Sequence, residues 1–166
     1  MAALKDLTDL LNREIQVLYD AEKLLIAAIP RMAEKANDPQ LKAAFRKHLE
    51  ETQEHKVRLE KVAELMGIKP DGESNAGMKG LIAEGEKVMH TRATPEALDA
   101  ALICGAQKIE HYEIAGYGTA AHLALGLALD PVYELLNLTL QEEQATDTRL
   151  NNLAKTNINR RADQVS

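Results

Sequence analysis

The stretch LNREIQVLYDAEKLLIAAI, residues 11–29, decides the fold. Leu11, Ile15, Leu18, Leu25 and Ile29 follow one another at the three- and four-residue steps that line one face of an α-helix. Glu22 stands where that series calls for an apolar residue. A carboxylate at a core position is costly unless something compensates it. The periodicity therefore names the element, and its interruption marks where chemistry should be sought.

Outward from this stretch the same stripe takes in Leu4, Leu7 and Met32, which predicts a first helix over about 4–36 with a kink at Pro30. Asp38 then reads as an N-cap and Pro39 as a first helical residue. The second helix, about 38–66, carries Leu41, Ala44, Phe45, Leu49, Leu59, Val62 and Met66 inward and stops at Gly67. IKPDGESNA (68–76) is loop, and GMKGLIAEGEKVMH (77–90) predicts a short crossover helix over about 77–91. Thr94-Pro95-Glu96 opens a third helix over about 95–127, and Asp130-Pro131 a fourth over about 131–158, with the tail NRRADQVS fraying. The connections run short, long, short. A long crossover can travel the length of a bundle, so the fold class is all-α: a ferritin-like four-helix bundle, up-down-down-up, in one domain spanning 1–166.

Composition agrees. Only 3% of the 166 residues are aromatic, with no Trp and a single Phe, which suits packed helices better than strands. A net charge of −6 argues against a nucleic-acid surface. No apolar run approaches a membrane span or a signal peptide, so a cytoplasmic protein is expected, without nucleic-acid or membrane partners. Cys104 is alone, excluding an internal disulfide, and its apolar neighbours predict a buried, inert thiol.

Glu22 is not an isolated exception. In the third helix Glu113 shares a face with Ile109, Gly116 and Ala120, and Glu110 lies one turn earlier. In the fourth, Glu143 and Thr146 fall inside, with Asp147 one turn beyond Glu143. In the second, His48, Thr52 and His55 fall inside, with Glu51 one turn before His55. One acid on an apolar face is usually an edge residue reaching solvent. The same interruption near the middle of every helix places the acids in one layer, where like charges need neutralising. Two metal ions, iron before manganese, would balance Glu22, Glu51, Glu110, Glu113, Glu143 and Asp147, with His55 adding an imidazole. Glu142 rivals Glu143 for the fourth helix, and Glu54 is a lesser rival to Glu51. His48 reads as a hydrogen-bonded core or outer-layer histidine before a ligand, and His111 as exposed or at an interface. Tyr19, Tyr112 and Tyr117 could bond a ligand, and Arg58 and Arg149 could orient carboxylates.

A weak internal echo pairs the second and fourth helices. HLEETQEHKVRLE and TLQEEQATDTRLN match at Leu49/Leu140, Glu51/Glu142, Arg58/Arg149 and Leu59/Leu150, all at one offset.

LYDAEKLL around Glu22, HLEETQEHKVRLE around His55, AALICGAQKIEHYEIAGYGT around Glu110 and Glu113, and TLQEEQATDTRLNNLA around Glu143 resemble the YciE/YciF family of bacterial ferritin-like proteins. The resemblance implies a rubrerythrin-like bundle, stress-associated expression, a homodimer and a di-metal centre. The sequence departs from the wider di-iron pattern of paired Glu-x-x-His. Thr52 stands three before His55, and the fourth helix has no His. Two functions follow as expectations: a non-haem di-metal protein reacting with peroxide or oxygen, or a non-enzymatic stress protein whose metal only supports the fold. Iron storage in a shell ranks third.

Overall fold

The computed structural model describes residues 4–164. Its elements are α1 (Leu7–Lys35), α2 (Pro39–Met66), α3 (Ala76–Met89), α4 (Pro95–Gly126), α5 (Asp130–Leu153), a π-helical turn (Ala154–Ile158) and α6 (Asn159–Asp163). No strand occurs among the described residues. Helix α1 starts later than the stripe predicts because Asp6 caps it, accepting from the Asp9 amide at 2.9 Å, and leaves Leu4 outside. It continues through Pro30 to Lys35. At the other end, helix persists beyond 158 through the π turn to Asp163 instead of fraying at 159.

Capping residues act where local chemistry puts them. Asp38 Oδ1 accepts from the amides of Gln40 and Leu41, and Thr94 accepts from Ala97. Gly67 closes α2 at φ 67°, a conformation that costs a residue without a Cβ least. No side chain caps α5. Its chain turns instead through Ala128, at φ 57°, and Pro131 sits in the first turn.

Helices α1, α2, α5 and α4 form a cyclic four-helix bundle, and α3 lies against α1 and α4. Direction follows from hydrogen bonds at one end. Asp99, early in α4, accepts from the amides of Asn37 and Asp38 between α1 and α2. Asp38 Oδ2 accepts from Asn157 and Arg161 beyond α5. The ends of α1 and α5 and the starts of α2 and α4 therefore meet, which is the up-down-down-up order. At Gly116 a Cβ would lie 2.9 Å from Leu18, so glycine permits the close approach of α4 to α1.

Two apolar cores fill the bundle. One holds Leu25, Ile29, Phe45, Leu102, Ile109 and Leu150; the other holds Leu11, Ile15, Leu18, Leu59, Val62 and Leu136. Each buried aliphatic side chain contributes about 2 kcal/mol, and that gain offsets the cost of the polar layer between the cores.

Candidate metal centre

Glu22 on α1, Thr52 and His55 on α2, Glu113 on α4 and Glu143 on α5 are fully buried, and Glu110, His48 and Thr146 nearly so. His55 Nδ1 lies 2.9 Å from Glu143 Oε1 and 3.7 Å from Glu22 Oε1. His48 Nε2 lies 3.2 Å from Glu110 Oε1. Donor atoms of Glu22, His55 and Glu143 fall within 4.8 Å of one another, and so do those of His48, Glu113 and Glu143. Glu143 belongs to both groups.

These atoms are close without being satisfied. Neither oxygen of Glu113 or Glu143, neither nitrogen of His48, and neither Glu22 Oε2 nor Glu110 Oε2 has a hydrogen-bond partner. His55 Nδ1, though near Glu143, lacks hydrogen-bond alignment with it. Native interiors rarely leave so many buried polar atoms unpaired. Carboxylate and imidazole donors gathered this closely could hold a metal ion. The residues could compensate bound cations: four buried carboxylates supply negative charge, and two buried imidazoles lie beside them.

Without a cation, protons compensate the cluster. Burial pushes Glu22 up to about 8 despite the opposing pull of His55. Burial, reinforced by the Glu143 charge, holds Glu110 and Glu113 well above the carboxylate range. Burial pushes Glu143 up too, but His55 and His48 outweigh it and leave Glu143 below its ordinary value. Burial drives His55 down, yet Glu143 and Glu22 overcome this and raise it to about 9. Burial keeps His48 low.

Around the cluster, side chains fix the donors. Tyr117, buried on α4, donates to Glu22 Oε1 and leaves Oε2 free, and its ring stands edge-on to His55. His55 Nε2 sits 2.9 Å from Glu142 Oε2, and Arg58 holds Glu142 at 2.7 Å. Glu142 is half-buried, so it faces the cluster's rim while Glu143 faces its centre. Tyr19 and Tyr112 bond Glu60 and Asn75 instead, away from the donors.

The structure brings together Glu22, His55, Glu110, Glu113 and Glu143 of the sequence-predicted residues. Glu51 and Asp147 lie further out. Glu51 accepts from Thr146 at 3.2 Å and faces Arg149 and Lys47. Asp147 meets the exposed His111 at 3.2 Å and accepts from Asn151. Glu54 is exposed. His48, which the sequence reads as a hydrogen-bonded core or outer-layer histidine before a ligand, lies among the donors with neither nitrogen hydrogen-bonded. Cys104, predicted buried, is exposed, because its face of α4 looks past α3 rather than into the bundle.

The internal echo is realised in space. Arg58–Glu142 is mirrored by Arg149–Glu51, and His55–Glu142 by Thr146–Glu51. At the same offset Glu22 matches Glu113, Thr52 matches Glu143 and His55 matches Thr146. Each hairpin thus keeps one half of a Glu-x-x-His pair: the histidine on α2, the glutamate on α5.

Among the described residues, no helix is long and apolar enough to cross a membrane. Residues 6–163 match the model of a domain of unknown function, DUF892. The chain is 40% identical over 161 residues to protein YciF of Escherichia coli K12, covering 96% of this chain and 97% of that one. The crystal structure of the E. coli stress protein YciF superposes with a TM-score of 0.90, covering 94% and 99% of the two chains at 40% identity. YcfI of Rhodopseudomonas palustris, named only as a candidate structural protein, follows at 0.86 and 38%, covering 89% and 94%. A Xanthomonas campestris protein, XCC3681, shares the fold at 0.70 and 21% identity, covering 90% and 92%. From the match along almost its whole length, and from the motifs around its buried acids, the chain belongs to the DUF892 family of YciF-like bacterial proteins.

Proposed function

We propose that this protein is a non-haem di-metal stress protein of the ferritin-like kind, holding two ions of iron, or else manganese, and reacting with peroxide or oxygen. One observation carries the reading: two groups of buried, unpaired donors share Glu143 at one level between two apolar cores. Bound there, the two ions would supply the electrons that reduce the oxidant. The chain's own residues do the rest. Glu22, His55 and Glu143 would hold one position, and His48, Glu113, Glu110 and Glu143 the other. Glu51 and Asp147, engaged by Arg149 and His111, would support the layer from its rim. Glu142 orients His55 through its outer nitrogen, and Tyr117 orients Glu22. The cores above and below exclude water.

Elemental analysis of the purified protein, then peroxide and oxygen consumption before and after metal removal, tests this. Retained iron or manganese with metal-dependent consumption is expected. A protein that takes up neither metal on reconstitution refutes the centre. A second reading, a metal that only braces the fold, draws on the complete burial of the donors; it predicts metal-dependent stability with no consumption of either oxidant. A cytoplasmic homodimer completes the proposal, with native mass as its check.

A further inference from the structure

We propose that a file of apolar hollows between α3 and α4 admits dioxygen to the metal centre; this rests on the centre proposed above and names its oxidant. Gly85 on α3 and Gly105 on α4 border one groove, and a Cβ at either would meet nothing within 4 Å. Cys104 and the Lys108–Glu84 ion pair stand at its outer end. Both glycines also line a second hollow, which reaches inward to Met32 and Ile109. Met32 and Ile109 in turn wall a third, lined also by Leu25, Ile29 and Phe45, which ends on His48 and Glu110. Adjoining hollows share their walls, so Met32 and Ile109 are the partition between groove and centre. A methionine is unbranched and shifts readily.

The inner end is what makes this more than a packing defect. His48 is 4% exposed, neither of its nitrogens has a hydrogen-bond partner, and it borders the innermost hollow together with Glu110. Between the mouth and that end the inner walls are almost wholly apolar, and the two inner hollows have the size of a single small molecule. Apolar walls offer water no hydrogen bonds and favour apolar guests. Hydrogen peroxide would surrender its hydrogen bonds to water on entering, whereas dioxygen has none to lose. Apolar and diatomic, dioxygen fits both the width and the lining.

Crystals of the purified protein under xenon pressure test the path without reference to any metal. Xenon is expected beside Gly105 and between Phe45 and Ile109. Its absence from both places overturns the path, whether or not iron binds. Gly105→Leu, with Gly85→Leu as the second variant should the first not fold, should lose the xenon and slow oxidation of bound ferrous ions by dioxygen about tenfold. Oxidation by hydrogen peroxide should be unchanged. Equal slowing with both oxidants, or none with either, overturns dioxygen as the occupant. A protein that takes xenon but no ferrous ion refutes the metal centre instead, and with it the role of the path.

Discussion

Tyr117 donates its phenolic hydrogen to Glu22 Oε1 from a fully buried position, so one oxygen of the carboxylate is engaged and the other, also buried, has no hydrogen-bond partner. Tyr117→Phe removes that restraint with little change in volume. Metal affinity should fall roughly 10-fold to 100-fold, as for other supports of a ligand. The metal-free protein should lose about 1–3 kcal/mol, the cost of a buried acceptor left unmet. Metal titration and denaturant unfolding read the two effects separately.

Glu143 lies in both donor groups and Glu22 in one. Glu22→Ala should therefore abolish one metal position and Glu143→Ala both. Stoichiometry by elemental analysis decides, and equal loss in the two variants would count against a shared carboxylate.

The metal-free protein should lose stability as pH rises. Glu22 is raised from 4.5 to about 8 and His55 from 6.5 to about 9, so in both cases the folded state holds its proton more tightly than the unfolded chain does. That contribution is fully present below the unfolded values and disappears as pH climbs through the folded ones. The melting temperature should fall between about pH 5 and 9. Metal, which replaces these protons, should flatten the fall and bind more tightly at the alkaline end. A pH series of thermal melts with and without metal measures it.

Asp38 combines a helix cap with a tertiary role, accepting from Gln40, Leu41, Asn157 and Arg161. Asp38→Ala should destabilise the protein by at least about 2 kcal/mol, the upper range for a lost cap. Asn157→Ala combined with Arg161→Ala removes only the tertiary part and should cost less. Denaturant midpoints compare the two.

Helix type, the caps at Asp38 and Thr94, the stop at Gly67 and the inward acids were legible in the chain because each depends on residues within a turn or two. Helical spacing assigns a face from local order alone, and so Glu22, His55, Glu113 and Glu143 could be read as inward. Neighbours on one face differ by small rotations, and the sequence carries no measure of those. Glu142 and Glu143, adjacent in the chain, separate into rim and centre only because α5 is rotated by its packing against α2. Asp147 and Glu51 stand where Arg149 and His111 meet them across helices. The exposure of Cys104 depends on how α3 lies on α4, a contact between distant segments. The sequence by itself determined the helices and the level of the buried acids; tertiary packing alone decided which donors converge on a common point, because convergence is a property of several helices at once.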